Sequence, residues 1–192
     1  MKYITILISL FLIACTNTQN INPSINESNN KILQFIKNGD LDSADEEYIK
    51  IKDTQDSKKI KETATMLAIA HIENNEYILA NFFIQEGLSI DSSDEFLKFL
   101  LIKNQFLSAN EHNNDLSYIK KALKALEENS YLISDNEYKI LTSTMITRLK
   151  IDIAKRNKDI ANQYKSLNKI QAYKIYKQKI EDMGFDSKDI IK

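Results

Sequence analysis

The sequence predicts an all-α protein built from pairs of antiparallel helices, and three observations support this prediction. The chain of 192 residues contains three glycines and one proline, so few positions interrupt a helix. Apolar residues recur at helical spacing through most of the chain, without the strict alternation of a β-strand. A short turn motif also recurs, with its first three copies 36 and 39 residues apart and a looser fourth copy further on. A helical hairpin repeated along the chain accounts for all three observations.

The repeated turns are centred on Gly39, Asn75, Asn114 and Asn168. Gly39 and Asn75 are 36 residues apart, and Asn75 and Asn114 are 39 apart. Helices commonly end in a residue with left-handed backbone conformation, which glycine adopts without a Cβ clash and asparagine tolerates next best. We therefore predict that each of these four residues ends one helix and begins the connection to the next.

An acidic residue follows three of the four turns, namely Asp40, Glu76 and Asp115. At the amino end of the second helix such a side chain can accept hydrogen bonds from free backbone N–H groups and meets the positive end of the helix dipole. Ala44 and Ala80 lie four residues after Asp40 and Glu76. Their small side chains allow two helices to approach closely.

The segments between the turns carry apolar stripes with helical period, and residues 137–164 contain no helix breaker. We predict one long helix there, a partner helix over 169–182 and a stop at Gly184. Paired helices with a period in the mid-thirties are typical of a tetratricopeptide-like α-solenoid, here of about four hairpins, whose concave wall binds peptides or partner helices. Six aromatic residues are predicted to be mostly core, with one or two reaching that wall: Tyr77, Phe82, Phe83, Phe96, Phe99 and Phe106.

The amino terminus combines a short apolar run with the single cysteine of the chain. The apolar run from Ile4 to Ala14 is shorter than the roughly 17–25 residues of a membrane-spanning helix, and it ends at Cys15, the single cysteine of the chain. Leu-Ile-Ala-Cys resembles a bacterial lipobox, in which the cysteine thiol receives a diacylglyceryl group before cleavage. The alternative is a buried cysteine in an uncleaved hydrophobic helix. Thr16, rather than an aspartate, favours the outer membrane by the same resemblance.

The predicted organisation therefore has four parts. Residues 1–14 form a lipoprotein signal peptide. Residues 15–30, rich in Asn, Ser, Thr and Gln, form a lipidated flexible tether. Residues 31–183 form the repeat domain, and residues 184–192 form a carboxy-terminal tail.

Composition argues against several classes of function. Without residues 1–14 the chain has 25 basic and 27 acidic residues, a net charge of −2, which gives no general attraction to nucleic acid. No nucleophile motif or phosphate-binding loop is present, and no cofactor, metal site or catalytic residue is expected. His71 shares a helix face with Leu67 and Ala68, so we interpret it as a core or interface histidine. A pair of catalytic carboxylates remains an open alternative, because the distance between two carboxyl groups depends on the folded structure and not on the sequence alone.

Two segments carry recognisable motifs: residues 63–80 end in MLAIAHIENNEYILA, and residues 148–182 contain Arg148-Leu149 and then IANQYKSLNKIQAYKIY. The first segment resembles the second repeat of the BamD family of lipoproteins, and the second resembles the long helix and the returning helix of that family. The family belongs to the β-barrel assembly machinery of Gram-negative outer membranes. The similarity covers roughly residues 12 to 183. It implies a non-enzymatic tetratricopeptide-like scaffold that faces the periplasm from the outer membrane.

The same resemblance implies two partners: the large β-barrel assembly subunit, bound by the carboxy-terminal repeats, and unfolded outer-membrane proteins, met by the amino-terminal repeats. The docking helix of the family carries an arginine where Tyr176 aligns, so that contact does not transfer. Lys174 and Lys177 lie nearby and are the candidate partner-binding residues. The chain also stops where family members often have a fifth repeat.

Two other functional hypotheses are compatible with the sequence. A repeat lipoprotein of this kind can instead scaffold a secretion, pilus or peptidoglycan-synthesis complex. The third hypothesis, after the BamD-like scaffold and this alternative scaffold, is an enzyme of the cell envelope. Recovery of partners from membranes discriminates between the first two hypotheses, and turnover of an envelope substrate by the mature protein would support the third.

Overall fold

A computed structural model describes the backbone of residues 23–111 and 115–186, and these residues form helices joined by turns. The predicted all-α class and the hairpins of a tetratricopeptide-like solenoid are confirmed. The described residues divide into two compact units, one within residues 23–55 and the other within residues 56–186. The helices of the described part are α1 Pro23–Asn38, α2 Leu41–Ile51, α3 Ser57–Glu73, α4 Tyr77–Ile90, α5 Glu95–Glu111, α6 Leu116–Ser130, α7 Asn136–Ser166 and α8 Ile170–Glu181.

The first unit contains one hairpin, formed by α1 and α2. Helix α1 covers Pro23–Asn38, so residues 23–30 are helical, whereas we predicted a flexible tether over 15–30. The Lys31 ammonium joins the two helices through an ion pair of 3.1 Å with Glu47. Cys15 and Thr16 lie outside the described residues.

The second unit contains three hairpins, α3–α4, α5–α6 and α7–α8. Helix α5, the first of the middle hairpin, also contacts α3 and α7, the first helices of the hairpins before and after it. The first helices of this unit therefore lie side by side along one wall, as in a tetratricopeptide-like stack. The predicted long helix is confirmed, because α7 runs for 31 residues without a break.

The repeated turns have the backbone that their residues suggest. Gly39 has φ of 75°, Asn75 of 63° and Asn168 of 56°, while Asn114 lies outside the described residues. In each of these three turns the N–H following the left-handed residue donates to a carbonyl five positions earlier, which satisfies one of the free carbonyls at the helix end. The three bonds are Asp40 N to Phe35 O (3.0 Å), Glu76 N to His71 O (2.8 Å) and Lys169 N to Tyr164 O (2.9 Å).

The three acidic residues that follow the turns do not all form the same hydrogen bonds. Asp40 accepts a hydrogen bond from the backbone N–H of Ser43, and Asp115 accepts from two N–H groups at the start of α6. Glu76 makes no such bond. Its carboxylate lies 2.6 Å from Nδ1 of His71 and accepts a second bond of 2.6 Å from the Asn74 amide. The expectation for Glu76 was therefore wrong, because the longer glutamate side chain reaches back to the preceding helix.

The core of the second unit is built from the inward faces of all three hairpins. Of the six aromatic residues singled out in the sequence, Phe83, Phe99 and Phe106 are buried, while Phe82 is 44% exposed. A contiguous cluster joins the middle hairpin to α7: Phe99, Ile102, Phe106, Ala109, Ile119, Leu126, Ile133, Leu149 and Ile153. This cluster fixes the position of α5 relative to α7.

An ion-pair clamp joins α3 to the connection between α4 and α5. The Lys61 ammonium lies 3.0 Å from Oδ2 of Asp91 and 2.8 Å from Oδ2 of Asp94. The hydrogen bond from the Ser93 hydroxyl, followed by that from Lys61, lowers the pKa of Asp91 from 3.8 to about 2. Hydrogen bonds to Asp94 and Asp91 raise the pKa of Lys61. The charged forms of both partners are thus favoured in the folded protein.

We expect the Asp91→Asn variant to lose stability only where Asp91 is charged. The folded pKa lies below the unfolded value of about 3.9, so the contribution is complete above pH 4 and disappears as the pH falls through about 2. Urea unfolding at a series of pH values measures this. The difference between wild type and variant should be constant from pH 7 to 5 and shrink between pH 4 and 2. A difference that does not change with pH would contradict the assignment.

Candidate protein-interaction site

An open groove lies between α5 and α7 on the wall formed by the first helices of the second unit. It consists of two adjoining hollows of about 420 and 340 Å³, both lined by Asn110 from α5 and by Asp152 and Lys155 from α7. We call this feature the α5–α7 groove. Its lining residues are Phe106, Asn110, Arg148, Ile151, Asp152, Lys155, Arg156 and Asp159.

The spacing of charged residues on α7 explains why they line one groove. Arg148, Asp152, Lys155 and Asp159 are separated by four, three and four positions, so they share one face of the helix. The opposite face carries the buried residues of this stretch, which are Leu149, Ile153, Ala154, Asn157 and Ala161. The apolar face holds α7 in the core, and the charged face is left to form the groove wall.

The groove also has an apolar part. Phe106 is 8% exposed and belongs to the core cluster, yet its side chain reaches the lining of the groove. Ile151 on α7 is half-buried and lines the same hollow. Phe106 is one of the six aromatic residues singled out in the sequence, and it reaches the lining of this groove. A ligand in this groove meets apolar and charged groups within one helical turn of each other.

The charges along the groove are only partly paired. The Lys155 ammonium lies 3.8 Å from Asp152, and such an exposed pair contributes little to stability. Arg148 is exposed and Arg156 is half-buried. Within residues 28–111 and 115–186, neither arginine makes a hydrogen bond or an ion pair. The groove therefore offers two cationic groups whose hydrogen-bond donors are available to a ligand.

The groove is an open hollow with charged and apolar lining, and one curated relative indicates which proteins the chain resembles. The chain is similar to an outer membrane protein assembly factor, BamD of Helicobacter pylori (strain ATCC 700392 / 26695). The two are 24% identical over 155 residues, which cover 79% of this chain and 70% of that protein. No protein-family model matches the sequence. The relative supports the BamD-like resemblance noted in two segments of the sequence.

The candidate partner-binding lysines lie apart from the groove lining. Lys174 is exposed on α8, and the Lys177 ammonium on the same helix lies 3.7 Å from Glu181. Sequence reasoning did not assign Arg148 or Arg156 to a site. One feature of the sequence could have drawn attention to them: they are the two arginines among 26 basic residues, and the other basic residues are lysines.

His71 is a structural residue. It is completely buried, its ring stacks on Phe83 with centroids 5.3 Å apart, and its Nδ1 bonds the Glu76 carboxylate. His112 lies outside the described residues. Among the residues that are described, no group of three or more His, Cys, Asp and Glu side chains is arranged to hold a metal ion. None of the described helices combines the length and the apolar character needed to cross a membrane.

Proposed function

We propose that this chain is a lipid-anchored scaffold that faces the periplasm and helps to assemble and insert β-barrel proteins into the outer membrane. The observation that carries the proposal is the similarity to BamD of H. pylori over 79% of the chain. The helical hairpins support it, since stacked hairpins offer extended surfaces for partner proteins. The role requires binding and positioning, without a chemical step at the protein.

The proposed partners are the large β-barrel assembly subunit and unfolded outer-membrane proteins. An unfolded β-barrel chain presents extended segments, and the α5–α7 groove has the open form and mixed lining that suit such a segment. The last hairpin, α7–α8, is the proposed docking element for the assembly subunit, with exposed Lys174 and neighbouring Lys177 as contacts. No cofactor is required beyond the covalent lipid proposed at Cys15.

The lipid at Cys15 sets where the scaffold works. Three acyl chains hold a protein far more firmly than one, because each buried CH₂ contributes about 0.8 kcal/mol. The eight residues from Cys15 to Asn22 precede α1, and a fully extended chain of that length reaches at most about 28 Å. We therefore propose that the first hairpin works close to the inner surface of the outer membrane.

Depletion of the protein in its own cells tests the proposed function. We expect the levels of outer-membrane β-barrel proteins to fall, and the large assembly subunit to be recovered with the tagged protein from detergent-solubilised membranes. The levels of outer-membrane lipoproteins that are not β-barrels serve as the control. Normal β-barrel levels, together with recovery of a secretion, pilus or peptidoglycan-synthesis complex, would contradict the proposal.

A further inference from the structure

The use of arginine in this chain is confined to one place. Of the 26 basic residues, 24 are lysine and two are arginine, and both arginines line the α5–α7 groove. Elsewhere in the sequence lysine supplies every positive charge apart from histidine. The groove is therefore the one region of the chain where arginine is used in addition to lysine.

Arginine and lysine differ in what they recognise. The guanidinium group is planar and presents paired N–H donors that match the two oxygens of a carboxylate, whereas lysine acts as a compact point charge. Arg148 and Arg156 hold these donors ready, because neither is engaged by another described side chain. The arrangement suits a ligand that brings its own carboxylates.

We propose that the α5–α7 groove binds an extended peptide segment that carries two carboxylate side chains four residues apart with an apolar side chain midway between them. This inference rests on the proposed function, and it specifies the chemistry of the segments that the scaffold holds. One carboxylate pairs with Arg148 and the other with Arg156. The apolar side chain between them contacts Phe106 and Ile151.

The spacing follows from the geometry of helix and strand. Arg148 and Arg156 are eight positions apart on one helix, which is about 12 Å along its axis. In an extended segment, residues four positions apart are separated by about 13 Å and lie on the same side. The residue midway between them also faces the groove. A carboxylate at that middle position would meet Asp152, whereas an apolar side chain meets Ile151.

The lining favours a peptide over a phosphate-rich surface. Asp152 and Asp159 stand among the three cationic residues, so the groove has a net charge of only +1. A membrane of anionic lipid headgroups would be repelled by these two carboxylates and would leave the apolar part of the groove without a contact. A peptide with separated carboxylates can place each one against an arginine and away from both aspartates.

Fluorescence anisotropy with the full-length chain in detergent tests the inference. The probe is a labelled peptide of seven residues, with glutamate at its second and sixth positions, valine at the fourth and threonine elsewhere. We expect Arg148→Gln and Arg156→Gln each to weaken binding about tenfold, and glutamine in place of both glutamates to weaken it at least as much. The matched control Lys121→Gln removes an exposed charge from α6, outside the groove lining, and should leave binding unchanged.

A second experiment reverses the charges of both the protein and the peptide, so that a gain of binding cannot result from loss of folding. The double variant Arg148→Glu with Arg156→Glu should bind a peptide with lysines in place of the two glutamates and reject the original peptide. Equal binding of the glutamate and glutamine peptides would overturn the inference. Unchanged binding of the glutamate peptide by both Arg148→Gln and Arg156→Gln would also overturn it. Arginine-dependent binding to vesicles containing phosphatidylglycerol, with no peptide binding, would overturn it in favour of a phosphate ligand.

The same variants separate this inference from the proposed function. If depletion lowers β-barrel levels but peptide binding does not depend on the arginines, the inference alone fails. If peptide binding depends on both arginines while depletion leaves β-barrel levels normal, the proposed function fails and the peptide specificity stands.

Discussion

Replacement of Phe83 by alanine is expected to lower the free energy of unfolding by about 3–5 kcal/mol. Phe83 is 2% exposed and is among the largest fully buried side chains of the described residues. Its ring stacks on His71 with an interplanar angle of 7° and meets Phe82 edge-on at 5.1 Å. Removal of the ring leaves a cavity and strips one face of a buried histidine. For a domain whose total stability is about 5–15 kcal/mol, this loss is severe.

Urea unfolding followed by helical circular dichroism measures the effect, and the chain provides a matched control. Phe82 is the preceding residue on α4, but it is 44% exposed. Phe82→Ala should cost about 1 kcal/mol, mainly through loss of the edge contact with Phe83. If the two variants lose the same stability, burial of Phe83 does not stabilise the hairpin in the way proposed.

Replacement of Cys15 by serine tests the proposed lipid attachment, and we expect the variant to be absent from the outer membrane. The serine hydroxyl is a far weaker nucleophile than a thiolate, so the diacylglyceryl group is not attached and the signal peptide is not cleaved. The product is then a precursor that is soluble or held at the inner membrane by residues 1–14. Density-gradient separation of the two membranes, with mass spectrometry of the intact protein, measures both consequences.

The neighbouring position supplies the control for this experiment. Thr16→Ser keeps the thiol and a hydroxyl beside it, and it should leave the mass of the attached lipid and the membrane fraction unchanged. A Cys15→Ser protein found in the outer membrane at the mobility of the wild type would refute lipid attachment at this residue.

Local backbone chemistry is the part of the fold that sequence reasoning predicted well. Gly39, Asn75 and Asn168 were singled out because only a few residue types tolerate a left-handed backbone, and all three adopt it. The long helix was predictable from the absence of a breaker over 137–164. These features depend on a residue and its near neighbours, which the sequence contains directly.

The errors arose where a side chain or a helix had more than one partner available. Glu76 was expected to bond the start of its own helix, but it bonds the buried ring of His71 instead. Residues 23–30 have the composition of a tether, yet they are part of α1. Composition alone does not show that such a segment can be helical or that a glutamate can reach across a turn.

The sequence by itself determined the hairpin unit and the turns at Gly39, Asn75 and Asn168, because each depends on residues close together in the chain. Only the tertiary structure decided where a groove forms on the surface. Phe106 and Arg148 are 42 positions apart, and they line one groove because the core cluster packs α5 against α7. Packing of α5 against α7 places both arginines in the lining of a groove that also has an apolar part, and this arrangement underlies the proposed peptide site.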